Sequence, residues 1–255
     1  MQHNVLILLA AGSSTRMRGS VEDKNLAELC GKPVVIRCLE TFIASEIFER
    51  VLLVYREDQQ REQIERLVQQ ANISNITIDW VCGGAERQDS VFNALKQVPS
   101  EADYIFIHDC ARPLVSTQSI RALYAVVQED GAAVLAHRVT DTIKESAPTR
   151  SDEEHPSILC EVQRDHLWAV ETPQAFAAEP IMSAYQKLFF EGKSVTDDTA
   201  VFTNSGYPVT LVENQSPNPK LTSPMDFVYA EFLLKYKTAK KRLPWSPLKT
   251  TKIKS

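Results

Sequence analysis

Short apolar runs alternate with longer amphipathic segments along the first half of this chain. Val5-Leu-Ile-Leu-Leu is apolar without alternation and stops at Ala10-Ala11-Gly12. This is the pattern of a parallel strand buried on both faces and ending in a loop. Residues 51–55 form a β-branched run, 57–70 a polar helix with apolar positions at Ile64, Leu67 and Val68, and 76–81 another strand. A helix containing 91–95, a strand over 104–107, a helix over 119–128 and a strand over 132–136 follow. The alternation predicts an α/β, Rossmann-like fold, a mostly parallel sheet flanked by helices and joined by right-handed crossovers.

The second half is less regular. A polar stretch with two prolines, 145–156, separates Thr140-Asp-Thr-Ile-Lys144 from a strand-like run over 158–162. It predicts a projecting β-arm over about 139–162, a feature that often packs on a second subunit. Helices are expected over 181–190 and 197–204, a strand over 208–212 and a closing helix over 225–236. One domain, 1–236, thus precedes a basic tail over 237–255 whose composition predicts disorder.

Bulk properties narrow the class. With 255 residues, 44% of them hydrophobic, the chain can bury one large core. A net charge of −5 argues against a nucleic-acid partner. Five cysteines lack C-x-x-C spacing and read as reduced thiols of a cytoplasmic protein, not a zinc site or a disulfide frame. The segment before Val5 has no Lys or Arg, so the first run is a poor signal peptide. No apolar run approaches the roughly 20 residues that span a bilayer, so no membrane association is expected.

Ligands on open parallel sheets bind beyond the carboxyl ends of the strands. Gly12 to Arg16, Gly83 to Arg87 and His108 to Pro113 all follow predicted strands. The first of these loops, with Arg16 and then Lys24, suits a phosphate cradle or an ordinary strand-to-helix turn with two cations. It is neither a P-loop nor a three-glycine dinucleotide fingerprint. Asp109 leaves its strand where a Mg²⁺ ligand shared with substrate phosphates fits, and the alternative is a turn-capping carboxylate. His108 reads as a packing residue.

Leu9-Ala-Ala-Gly-Ser-Ser-Thr-Arg-Met17 resembles the signature loop of sugar-phosphate nucleotidylyltransferases. Gly83-Gly-x-x-Arg-x-x-Ser90, His108-Asp-x-Ala-Arg-Pro113, Asp141-Thr142, Arg164-x-x-Leu-Trp168, Thr172-Pro-Gln174, Thr196-Asp-Asp198 and Asn218-x-Lys-x-Thr222 then follow in order. The ordered set is similar to the 2-C-methyl-D-erythritol 4-phosphate cytidylyltransferase family and covers about 5–234. Three positions depart from its usual pattern. Asp23 and Asn25 flank Lys24 where Pro and Gln are usual, and Glu171 precedes Thr172 where Gln is usual.

The resemblance implies transfer of CMP from CTP to 2-C-methyl-D-erythritol 4-phosphate, with pyrophosphate released, in isoprenoid precursor synthesis by a Mg²⁺-dependent cytoplasmic homodimer. It implies that Ala10, Ala11, Gly12, Gly84, Ala85 and Ser90 hold the cytidine, and that Arg16 and Lys24 contact the triphosphate. Asp109, helped by Asp226, is the implied metal ligand. Arg164 and Lys220 are implied to hold the acceptor phosphate, with Arg112, Thr142, Thr172 and Thr196 nearby. Alternatives are a cytidylyltransferase for ribitol 5-phosphate and a non-catalytic nucleotide-binding protein. Independently of any substrate role, Thr196 is expected to N-cap the following helix.

Overall fold

A computed structural model describes residues 3–12, 23–147, 155 and 157–242. Strand β1 (Asn4–Leu9) pairs in parallel with β2 (Arg50–Tyr55) and with β4 (Tyr104–Asp109), and β2 pairs in parallel with β3 (Thr77–Cys82). The strand order is β3-β2-β1-β4-β8-β5-β9, with β5 (Ala132–Arg138), β8 (Trp168–Ala177) and β9 (Thr210–Glu213) completing seven strands. Strand β8 runs antiparallel between β4 and β5, and β9 is parallel to β5. The expected α/β, mostly parallel architecture is therefore present.

Both faces of the sheet are buried, which is why its central strands read as unbroken apolar runs. Alternation along β1 sends Leu6 and Leu8 to one core and Val5 and Ile7 to the other. The first core is covered by α1 (Val34–Ile43), α2 (Asp58–Gln70), α4 (Thr117–Asp130) and α7 (Pro224–Arg242). The second lies under α3 (Arg87–Leu95), α5 (Ala178–Phe190) and α6 (Asp198–Asn204). Among the described residues no helix is long and apolar enough to cross a membrane.

Three features differ from the sequence reading. Helix α1 has no counterpart there, because Val34-Val35-Ile36 looks like strand and only burial of Val34, Cys38 and Phe42 on the sheet selects the helix. Strand β8 has none either. It contains the cis Thr172–Pro173 bond and carries buried Glu171, Thr172 and Gln174. Helix α7 runs to Arg242, past the expected start of the tail at 237. The expected arm is found as a separate antiparallel pair, β6 (Lys144–Ser146) with β7 (Ile158–Glu161).

Candidate active site

The parallel register brings the strand ends together. Leu9 lies opposite Val54 and Asp109, and Tyr55 lies opposite Cys82. The backbone carries this alignment outward: Ala10 N donates to Val54 O at 2.8 Å, Cys110 N to Leu9 O at 3.0 Å and Gly83 N to Tyr55 O at 2.7 Å. A cavity of about 400 Å³ opens at this edge, walled by Ala11 and Gly12 after β1, Gly84, Ala85 and Ser90 after β3, and Asp109 at the end of β4.

Gly84 makes one wall possible. A Cβ there would sit 2.2 Å from Asp89 Cβ and 3.1 Å from the Asp89 carbonyl carbon, so only glycine lets the chain lie against the first turn of α3. Ser90 holds this turn, accepting from Gly84 N at 3.0 Å and donating to Glu86 O at 3.1 Å. Asp89 and Glu86 close a reciprocal capping box at the start of α3.

Cations converge on the floor of the cavity. Lys220 Nζ donates to Asp109 Oδ2 at 2.6 Å, and Arg87 Nε to Asp109 Oδ1 at 3.1 Å. Arg87 also donates to Asp198 Oδ2 at 2.8 Å, and Asp198, wholly buried, takes the Tyr185 hydroxyl on its other oxygen. Burial alone pushes the Asp109 carboxyl up, but Arg87 and then Lys220 hold it far below the usual carboxylate range. Burial and the Asp198 carboxylate push the Tyr185 phenol up.

Lys24 lines the opposite side, and its neighbours are fixed to the end of β1. Asp23 accepts from Asn25 N at 2.8 Å and from Gln60 Nε2 at 2.6 Å, with Arg56 3.5 Å away. Asn25 Nδ2 and Gln60 Nε2 both donate to Ala10 O, at 2.6 and 3.0 Å. The two residues that replace the usual flanks of Lys24 thus form a buried clamp beneath it. Burial raises the Asp23 pKa, while the Asn25 amide, Gln60 and Arg56 oppose that rise.

The structure gathers Ala11, Gly12, Lys24, Gly84, Ala85, Ser90, Asp109 and Lys220 into one cavity wall, with Ala10 buried behind it. Arg16 lies outside the described residues. Thr172 is buried beneath the site, where its hydroxyl accepts from Asp109 N at 3.1 Å and contacts His108 Nδ1 at 3.1 Å. Arg112 holds Asn218 O at 2.9 Å. Asp226 does not line the cavity. Its Oδ2 accepts from Thr222 N, Thr222 Oγ1 and Ser223 N, each at 2.7 Å, closing the turn into α7. Arg164 donates to Thr140 O at the base of the arm, and Thr142 and Thr196 are exposed away from the cavity wall.

Two expectations change. The N-cap of α6 is Asp197, which accepts from Ala200 N at 3.0 Å, and not Thr196, which lies one residue too early. Arg56 and Arg87 belong to the cavity although the sequence reading names neither as a site residue. Their position just beyond β2 and β3 is the available signal. The described cysteines carry no disulfide, and no group of three or more His, Cys, Asp or Glu among the described residues could hold a metal.

Known proteins are similar to this chain in sequence and fold. The family described as IspD, 2-C-methyl-D-erythritol 4-phosphate cytidylyltransferase, matches residues 4–236. A protein of that name from Bacillus velezensis is 38% identical over 232 residues, 91% of this chain and 95% of its own. Another, from Halalkalibacterium halodurans, is 38% identical over 92% of this chain and 97% of its own. The crystal structure of the Thermus thermophilus protein of that name superposes with a TM-score of 0.71 at 28% identity, covering 92% of this chain and all of that one. With the fold, the strand-edge cavity and the match over nearly the whole described chain in agreement, this chain belongs to the 2-C-methyl-D-erythritol 4-phosphate cytidylyltransferase family.

Proposed function

We propose that this chain transfers CMP from CTP to 2-C-methyl-D-erythritol 4-phosphate and releases pyrophosphate, the cytidylyl-transfer step of isoprenoid precursor synthesis. The observation that carries the reading is the gathering of Lys24, Arg56, Arg87 and Lys220 on one cavity at the sheet edge, with Arg87 and Lys220 bonded to Asp109. An acceptor phosphate oxygen attacks the α-phosphorus of CTP in line. One P–O bond forms, the bond to the β-phosphate bridging oxygen breaks, and pyrophosphate leaves with that electron pair. A phosphate monoester is already an anion at neutral pH, so no general base is required. Catalysis comes from positioning and from fixed positive charge around the transferring group. This is the role inferred for Lys24 and Arg16, while the narrow loop from Ala10 to Gly12 and the wall of Gly84, Ala85 and Ser90 suit a nucleoside.

Asp109 has the chemistry to hold Mg²⁺. It is a carboxylate on the cavity floor, kept ionised by its neighbours, with one lone pair on each oxygen beyond the bonds to Lys220 and Arg87. A single carboxylate suits Mg²⁺, which keeps waters and shares substrate phosphates instead of filling an all-protein cage. When bound, the ion neutralises charge on the phosphates and on the leaving group. Lys220, Arg164 and Arg112 are assigned to the acceptor side, with Thr142 and Thr196. Arg164, Thr142 and Thr196 stand outside the cavity wall, so they fit an acceptor site completed by a second subunit's arm. Use of CTP and the absence of any disulfide among the described cysteines suit a cytoplasmic enzyme.

The test is pyrophosphate release from CTP with each acceptor. Turnover with 2-C-methyl-D-erythritol 4-phosphate is expected. Turnover with ribitol 5-phosphate alone would transfer the same chemistry to another acceptor, and none with any polyol phosphate would reduce the chain to a nucleotide-binding protein. Chelation with EDTA is expected to abolish the activity.

A further inference from the structure

The segment that delivers Lys220 has no regular structure of its own. Asn214-Gln-Ser-Pro-Asn-Pro-Lys220 leaves β9 with one last backbone bond, Asn214 N to Ala136 O of β5 at 2.8 Å, and then crosses to the cavity with two prolines. Its course is set by side chains instead. Asn214 Nδ2 and Asn218 Nδ2 each donate at 2.8 Å to the same atom, Glu171 Oε2. Asn218 Nδ2 also reaches Thr172 O at 3.0 Å, and Asn218 O accepts from Arg112 at 2.9 Å. Two residues later Lys220 meets Asp109, and Leu221 N donates to Ala111 O at 2.7 Å.

Glu171 sits on β8 with only 4% of its surface exposed. Its other oxygen, Oε1, lies 2.7 Å from His137 Nδ1 on β5. The charged and titratable groups facing it are His137 and, at longer range, Arg112, whose guanidinium it favours. We infer that Glu171 is a positioning residue for the acceptor half of the reaction: it anchors Asn214 and Asn218 and so places Lys220 at Asp109. A buried acceptor serving two amide donors is costly to remove, because Asn214 Nδ2 then loses its acceptor and Asn218 Nδ2 keeps only Thr172 O. The inference rests on the assignment of Lys220 to the acceptor phosphate.

The chemistry of this hub separates two variants. In Glu171→Gln the amide oxygen still accepts from both asparagines, and the amide NH₂ can donate to the unprotonated Nδ1 of a neutral His137. In Glu171→Leu both asparagines lose the carboxylate, and only Asn218 keeps an acceptor, Thr172 O. At neutral pH Glu171→Leu is expected to raise the acceptor KM on the order of tenfold or more, with the CTP KM within about twofold, and Glu171→Gln to restore the acceptor KM to near wild type. Asn218→Ala should reproduce the acceptor defect, and the effects of Glu171→Leu and Asn218→Ala on the acceptor KM should be less than additive in the double variant, because both remove the Glu171–Asn218 bond.

Hydrogen exchange of residues 214–221 should quicken in Glu171→Leu and not in Glu171→Gln. This readout needs no turnover, so it decides the anchoring even if wild type uses a different acceptor. Unchanged exchange in Glu171→Leu, or a fall in kcat with both KM values unchanged and no rescue by Gln, overturns the inference.

Discussion

Lys220 Nζ and Asp109 Oδ2 are 2.6 Å apart, although 111 residues separate them in sequence. The contact ties the segment after β9 to the end of β4. It also puts a cation assigned to the acceptor against a carboxylate assigned to the metal. Lys220→Ala is therefore expected to raise the acceptor KM by about tenfold or more and to leave the CTP KM nearly unchanged. Steady-state kinetics with each substrate varied in turn check this. Loss of CTP binding with intact acceptor binding would place Lys220 on the nucleotide side.

Lys24→Ala is expected to lower kcat by about a hundredfold or more. Its side chain lines the cavity, whereas the backbone around it is held by Asp23 and Asn25. Near-normal turnover would remove Lys24 from the transition state.

Asp109→Asn tests two roles at once. The neutral amide keeps the shape and loses the charge that attracts a hard cation, so the Mg²⁺ concentration for half-maximal rate should rise sharply. Stability supplies a second readout. The folded carboxyl titrates far below its unfolded value of about 3.9. Its stabilisation is thus fully present above about pH 4 and is lost as pH falls through the lower folded value. The gap in melting temperature between wild type and Asp109→Asn should be constant from about pH 5 to about pH 7 and should shrink below about pH 4. A gap independent of pH would contradict the ion-pair account.

Arg87→Ala should damage the fold as well as the chemistry. It leaves Asp198, wholly buried, with the Tyr185 hydroxyl and no cation. Breaking one side of such a buried pair costs about 3 kcal/mol, or a melting temperature lower by roughly 6–12 °C for a domain of this size. Thermal unfolding of Arg87→Ala measures it, and a shift under about 2 °C would show that the pair contributes little.

Most of the frame is legible in the sequence because both faces of a parallel sheet are buried, so its strands appear as apolar runs with their loops at one edge. That alone places Gly12, Gly84 and Asp109 together. Strand β8 escapes because it carries polar residues inward. Glu171, Thr172 and Gln174 are buried through hydrogen bonds to Asn218, Asp109 and Asp197, not through apolar packing. Arg87 is visible in its motif, but its importance depends on Asp198, 111 residues away. Glu171 can be seen as a departure from the family pattern. Its link to Lys220 requires the path of the segment after β9.

The arm supplies the last prediction. Ile158 and Leu159 on β7 are 71% and 59% exposed, and Ile143 and Val170 at its base are 36% and 38% exposed. A two-stranded ribbon is marginal in water without something to cover it, and these side chains bury little within one copy of the chain. A second copy of the same arm offers the matching apolar face, as a two-fold interface requires. Sedimentation at micromolar concentration is expected to give a dimer for wild type and a monomer for Ile158→Glu/Leu159→Glu. Because both side chains already face solvent in one copy, the double variant should fold, with its core intact. If Arg164, Thr142 and Thr196 complete an acceptor site across the interface, the monomer should also lose acceptor use while it still binds CTP. A monomeric wild type with full activity would confine the whole site to one chain.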